Sequence, residues 1–269
     1  MTMNSSDLLS MAQDKPAGLV DAVISLGSFC QVGGMLWVYD IKDTNSPFDN
    51  FGFRTWTSII PILRNRFADY WQKENMEIGD PVEDYSGPNN SKRMTVIVWC
   101  KRYNMENTHH FALGNNTPEE LGDYPKFRSK VAKMEGAFLK RCKLYSNIRF
   151  VCKAMNSPEF ENTEVRKEDI LELLSVLADV REGKPFTLAL AVPAKHYETL
   201  KDWVIEKQIP NLHIASWHTR WNDTRNEEWD ELLQGVTVPE NRYERVWNEI
   251  FADDPPTDEN LLEFNSTYV

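Results

Sequence analysis

The sequence predicts an α/β protein, with a mostly parallel central sheet of about five strands and helices on both faces. Three observations lead there. Five short apolar segments rich in β-branched residues recur along the chain, and stretches of apolar residues at helical spacing separate them. Several of the short segments are continuous apolar runs without alternation, as in strands covered on both faces. The alternation itself implies βαβ units, because parallel pairing needs long crossovers.

In chain order, the segment 1–19 has no basic region followed by an apolar stretch, and reads as a loose arm and not a secretory signal. The strands follow at 22–26 (AVISL), 94–99 (MTVIVW), 149–153 (RFVCK), 186–192 (FTLALAV) and 212–216 (LHIAS). A first helical stripe comprises Trp56, Ile59, Ile60, Leu63, Phe67 and Tyr70, with Pro61 in the first turn, where a missing N–H is tolerated. A second, longer one runs through Phe127, Val131, Met134, Phe138, Cys142 and Tyr145. Further stripes are Ile170, Leu173, Leu174 and Leu177, then Tyr197, Leu200 and Val204, then Tyr243, Val246, Trp247 and Ile250, each placing one apolar face on a core. Composition marks 73–92 and 104–118 as loops. The acidic, Pro-rich segment 253–269 reads as an irregular tail in which Leu261, Leu262 and Phe264 could dock. Without an internal repeat or a clean linker, 20–252 is expected to form one domain.

Composition removes several function classes. The chain has 269 residues and a net charge of −11. It lacks the basic footprint of a nucleic-acid or anionic-membrane binder. No apolar run approaches the ~18 residues of a membrane span, so a soluble, cytoplasmic protein is expected. The cysteines at 30, 100, 142 and 152 form no CxxC pair and have no histidines at zinc spacing. They read as reduced thiols, with no metal site. GxGxxG and P-loop fingerprints are absent, so no cofactor is expected.

The segment 23–37 (VISLGSFCQVGGMLW) is the most informative. A strand runs into Gly27, and Cys30 falls near the first turn of a helix, where unpaired N–H groups and the helix dipole favour a thiolate. In parallel sheets ligands bind beyond the carboxyl ends of strands, where Cys30 stands. Gly33 and Gly34 each cost roughly 1 kcal/mol in a helix interior, which a close approach of a neighbour or ligand would offset. A small buried cysteine in a packing turn explains the same residues equally well. A nucleophile needs a base. His109 and His110, in the segment NTHHFAL after the second strand, are expected on the side of the sheet where Cys30 lies; His218, after the fifth strand, is a rival. The segment 46–53 (SPFDNFGF) holds Asp49 among aromatics, where it could orient an imidazole, pair with Arg54 or Lys101, or cap a turn.

The combination SLGSFCQVG, SPFDNFGF and a downstream HHF resembles a family of bacterial and viral proteins described as papain-like cysteine peptidases, a domain of unknown function. The resemblance spans roughly residues 20–220 and continues through 126–142 and an FVCK strand. It implies Cys30 as nucleophile, Asp49 as the acidic position and His109 as the histidine, with His110 where the family often has Asp. Asn50 replaces the family's Trp. Papain-like enzymes run Cys, His, then acid or Asn, and set a Gln before the Cys; here the acid precedes the histidine and Gln31 follows Cys30. Their histidine sits on an antiparallel sheet, whereas this chain reads as βαβ.

The leading expectation is a cysteine-dependent hydrolase acting on a peptide, amide or acyl substrate. Cys30, His109 or His110, and Asp49 would form the constellation, with Ser28 and Gln31 on the oxyanion side. A Cys-dependent acyltransferase, a nucleotide- or sugar-binding protein of glycan assembly in which LGS cradles an anion, and a non-catalytic interaction module stand beside it.

Overall fold

All five expected strands form, but only four of them share the parallel sheet. The computed structural model describes residues 18–27, 29–84, 92–156, 162–218 and 225–253. Its strands are β1 (Ala22–Ser25), β2 (Gly52–Phe53), β3 (Met76–Asp84), β4 (Arg93–Cys100), β5 (Met105–Asn107), β6 (Ile148–Lys153), β7 (Phe186–Pro193) and β8 (Leu212–Trp217). Its helices are α1 (Phe29–Val38), α2 (Ile59–Arg64), α3 (Tyr124–Leu144), α4 (Lys167–Val180), α5 (Ala194–Lys207), α6 (Glu227–Leu232) and α7 (Arg242–Arg245), which a π-helical turn, Val246–Ile250, extends. The arm 1–17 and the tail 254–269 lie outside the described residues.

The parallel sheet has the order β1-β6-β7-β8. Its strands bury side chains on both faces, which is why they read as continuous apolar runs. One face packs Val23 and Val151 against Val32, Met35 and Leu36 of α1 and Trp229 and Leu232 of α6. The other packs Ile24 and Phe150 against Phe138 of α3, Leu173 and Leu177 of α4, and Leu200 of α5. The helix directly after β1 therefore packs on one face and the helix directly after β6 on the other.

The sequence expectation of about five strands in one parallel sheet is corrected here. The segment at 94–99 became β4 of a separate antiparallel sheet, ordered β2-β5-β4-β3. Its apolar run marks a strand, but a run alone does not choose a partner direction. The expected loop at 73–92 contains β3, paired with β4 from Met76↔Cys100 to Asp84↔Arg93, with a register shift between Ile78 and Pro81. A bulge lets an edge strand carry Pro. The expected loop at 104–118 contains the short β5. The first helical stripe stops early: α2 ends at Arg64, and Arg66, Phe67, Asp69 and Trp71 take left-handed backbone. Phe67, Tyr70 and Trp71 are nonetheless buried, through tight turns. Aromatic rings weld the two sheets into one core, with Phe48 against Phe67 and Phe138, and Phe51 against Trp71 and Phe127.

No helix among the described residues is long and apolar enough to cross a membrane.

Candidate active site

Cys30 sits in the first turn of α1, beyond the carboxyl end of β1. The turn that delivers it is built around Gly27, whose φ is +84°. A β-carbon there would meet the Phe53 ring at 2.6 Å and the Phe48 carbonyl at 3.3 Å, so both conformation and space require glycine. The Gly27 carbonyl accepts the Lys153 N–H from the end of β6 at 3.3 Å, tying the turn to the neighbouring strand. Cys30 is partly exposed, and the first N–H groups of α1 have no acceptor within the helix.

His109 approaches from the other sheet. It stands in the turn after β5, and this turn is bound tightly to its surroundings. Asn107, fully buried, accepts the backbone N–H groups of His109 and His110 at 2.9 and 3.1 Å. Thr95 donates its hydroxyl to the Thr108 carbonyl at 2.7 Å, and Val96 N–H donates to the Phe111 carbonyl at 2.9 Å. The imidazole Nδ1 lies 2.8 Å from Oδ1 of Asp84, the last residue of β3. The remaining ring nitrogen, Nε2, is left for the Cys30 thiol, which is within hydrogen-bonding reach of the ring. Burial alone would lower the His109 pKa; the hydrogen bonds and charges of Asp84 and Cys30 outweigh it and push it up to about 9. An imidazolium between a thiol and a buried carboxylate is the arrangement that activates a sulfur nucleophile.

Asp84 is 1% exposed and is also held by Arg93, whose Nε lies 2.6 Å from Oδ2. The two face each other across the last rung of the β3–β4 ladder, on one face of the sheet.

With the thiol, the imidazole and the carboxylate in place, the comparison with known families bears on this geometry directly. Residues 21–192 match the model of a family described as putative papain-like cysteine peptidase (DUF1796). The chain belongs to this family. No curated protein and no solved structure matches it. The matched region of this papain-like family member begins at β1 and runs to the end of β7, so it includes Cys30, Asp84, Arg93 and His109. His109 follows β5 of the antiparallel sheet, whereas the βαβ reading of the sequence had expected it beside the parallel one.

The other predicted residues take different places. Asp49 is not at His109. Its carboxylate is buried, with Oδ2 2.8 Å from Lys42 Nζ and accepting the Ser46 N–H at 2.8 Å. It lies against Gly33 of α1, where a β-carbon would meet Asp49 Oδ1 at 2.5 Å and Lys42 Nζ at 2.9 Å. The neighbour that offsets the cost of glycine inside the helix is this ion pair. A second buried pair, Arg141 to Asp43 at 2.8 Å, lies beside it. The segment 46–53 thus brackets the cysteine helix, with Phe48 and Phe53 against Gly27 and Asp49 against Gly33. Asn50 takes a left-handed φ of +69°, which Asn tolerates.

His110 turns the other way. Its ring packs on Phe51 and Phe127, Nδ1 meets Asn107 Oδ1 at 3.2 Å, and burial holds its pKa well below the ordinary 6.5. His218 follows β8, at the edge of the parallel sheet opposite β1. Three strand spacings, about 14 Å, separate those strands, and its Nδ1 pairs with Glu228 at 2.8 Å. Gln31 is buried, with Oε1 accepting from Lys153 Nζ at 2.8 Å, so its side chain is committed beneath the turn. Ser28 lies outside the described residues. Cys100, Cys142 and Cys152 are buried, and burial pushes the last two up to about 12. Among the described residues no group of three His, Cys, Asp or Glu side chains could hold a metal ion.

Sequence reasoning missed Asp84, Arg93 and Asn107. Asn107 stands within the quoted NTHHFAL segment, two residues before His109, the spacing of an Asx turn. Asp84 gave no signal, since a carboxylate in an acidic stretch with Gly and Pro reads as solvated.

Proposed function

We propose that this protein is a cysteine-dependent acyl hydrolase of peptidase or amidase type. Cys30 is the nucleophile, His109 the general base and acid, and Asp84 the group that orients the imidazole. The observation that carries the reading is that one ring, His109, bridges the partly exposed thiol of Cys30 and the buried carboxylate of Asp84.

The imidazolium of His109 pairs with the Cys30 sulfur, which attacks the substrate carbonyl carbon. The oxygen of the tetrahedral adduct becomes an anion at the start of α1, where the N–H groups of Cys30 and Gln31 can donate to it. Collapse breaks the C–N bond, His109 returns its proton to the leaving amine, and a thioester remains on Cys30. Water, deprotonated by His109, attacks the thioester and releases the acid and the thiol. Asp84 fixes the tautomer and favours the imidazolium without taking the proton itself. None of the four cysteines forms a disulfide, which suits a reducing compartment such as the cytoplasm.

The test is labelling by a thiol-directed probe, an acyloxymethyl ketone, whose carboxylate leaves as the sulfur forms a thioether. The wild-type protein should take up one equivalent on Cys30, and the Cys30→Ala variant none. Equal labelling of both proteins overturns the reading.

A further inference from the structure

The geometry points to Arg93 as a positioning residue that holds the acid and the histidine of the site together. The inference rests on the Cys30–His109 reading above and extends it to a group outside the Cys–His–acid set. Arg93 does two separate things. Its Nε meets Asp84 Oδ2 at 2.6 Å, opposite the Oδ1 that meets His109, and its Nη2 donates to the His109 main-chain carbonyl at 2.5 Å. One guanidinium therefore grips the carboxylate that orients the imidazole and the backbone that carries it.

A rigid planar fork suits this task and an ammonium does not, because a single nitrogen cannot reach both acceptors in fixed directions. The two contacts have different consequences. The charge on Arg93 offsets that of Asp84, which limits how strongly the carboxylate draws a proton onto His109. The contact to the His109 carbonyl fixes the turn and so the distance from ring to sulfur. Arg93 opens β4, opposite Asp84 at the close of β3, and that rung of the ladder sets its reach.

The experiment measures two quantities in the wild type, Arg93→Ala and Arg93→Lys: the pH midpoint of the His109 ring by NMR, and the rate of Cys30 alkylation by iodoacetamide, with Cys30→Ala as the blank. In Arg93→Ala the midpoint should move up by about 0.5–1 unit, because a cation near the imidazolium is gone. Alkylation at neutral pH should slow several-fold, because the turn is released. Arg93→Lys keeps the charge, so it should restore the midpoint but not the rate. It also keeps the inference testable should the alanine variant fold poorly. A wild-type midpoint and rate in Arg93→Ala, or recovery of both by Arg93→Lys, overturns the role of Arg93 alone. A wild-type Cys30 that reacts no faster than the blank brings down the nucleophile reading, and this inference with it.

Discussion

Replacing Asp84 with Asn removes one charge from the site and sets an amide NH2 where Arg93 now meets the carboxylate Oδ2. Asn keeps the shape of the side chain and a carbonyl oxygen for the His109 Nδ1–H. It loses the negative charge 2.8 Å from the ring. His109 stands at about 9 against an ordinary 6.5, a preference for the imidazolium worth about 3 kcal/mol at 1.36 kcal/mol per pKa unit. Burial opposes that preference, and the hydrogen bonds and charges of Asp84 and Cys30 create it. With the Asp84 charge gone and the burial intact, the midpoint of His109 should fall below 6.5, readable by NMR titration. At pH 7 the imidazolium fraction then falls from nearly all to below about a quarter, so imidazolium-assisted thiol reactivity should drop at least about fourfold. Stability should change in parallel. A histidine whose folded pKa is raised stabilises the fold fully below its unfolded value, near 6.5, and that contribution is lost as pH rises through about 9. Wild-type stability should therefore decline by a few kcal/mol between pH 6.5 and pH 10, and in Asp84→Asn the decline should vanish. Chemical denaturation at a series of pH values reads this. A His109 midpoint that stays near 9 in Asp84→Asn would refute the reasoning, since the carboxylate would then not be what holds the proton.

Asp49→Asn should lower stability by about 3–5 kcal/mol, because it leaves Lys42 buried without its counter-charge; the NMR midpoint of His109 should not move, which separates a bracketing role from an acidic member of the catalytic set. Gly33→Ala should also destabilise, by denaturant titration. The new methyl must displace a buried ion pair at 2.5 Å, at a cost of about 1–3 kcal/mol that exceeds the roughly 1 kcal/mol gain in helix propensity. His218→Ala should leave the rate of Cys30 alkylation as in the wild type, whereas His109→Ala should reduce it strongly; the reverse pattern would move the base to β8. With native protein and a brief exposure to iodoacetamide, peptide mapping should find Cys30 modified and Cys100, Cys142 and Cys152 spared, since burial raises the pKa of all three.

The parallel half of the fold is readable because its strands are apolar runs and its long helices carry unbroken stripes. The turn around Cys30 is readable for a local reason: strand, Gly27, Cys30 and helix follow one another within ten residues. The antiparallel half is less legible. Gly79 and Pro81 break the pattern of β3, yet an edge strand with a register shift accommodates both. That misreading hid Asp84, because a carboxylate in a presumed loop offers no reason to look for a histidine partner. Asp49 misled in the opposite direction. Its aromatic setting correctly foretold burial, but a buried carboxylate can serve an imidazole or a lysine equally well. Lys42 is of a type rarely buried, and its sequence carries no sign that it is the partner. His109 was expected near Cys30 on the premise that both followed strands of one sheet. It is near Cys30, but it comes from the second sheet, across an aromatic core that no local pattern encodes.

The most direct test is to trap the acyl-enzyme. Wild-type protein is mixed with an activated ester, p-nitrophenyl acetate, quenched in acid and examined by intact mass and peptide mapping. A single acetyl group on Cys30, released by hydroxylamine as a thioester should be, and formed far more slowly in His109→Ala, is the predicted result. Acetylation that persists in Cys30→Ala, or a wild-type Cys30 that never acquires the group, would contradict the account.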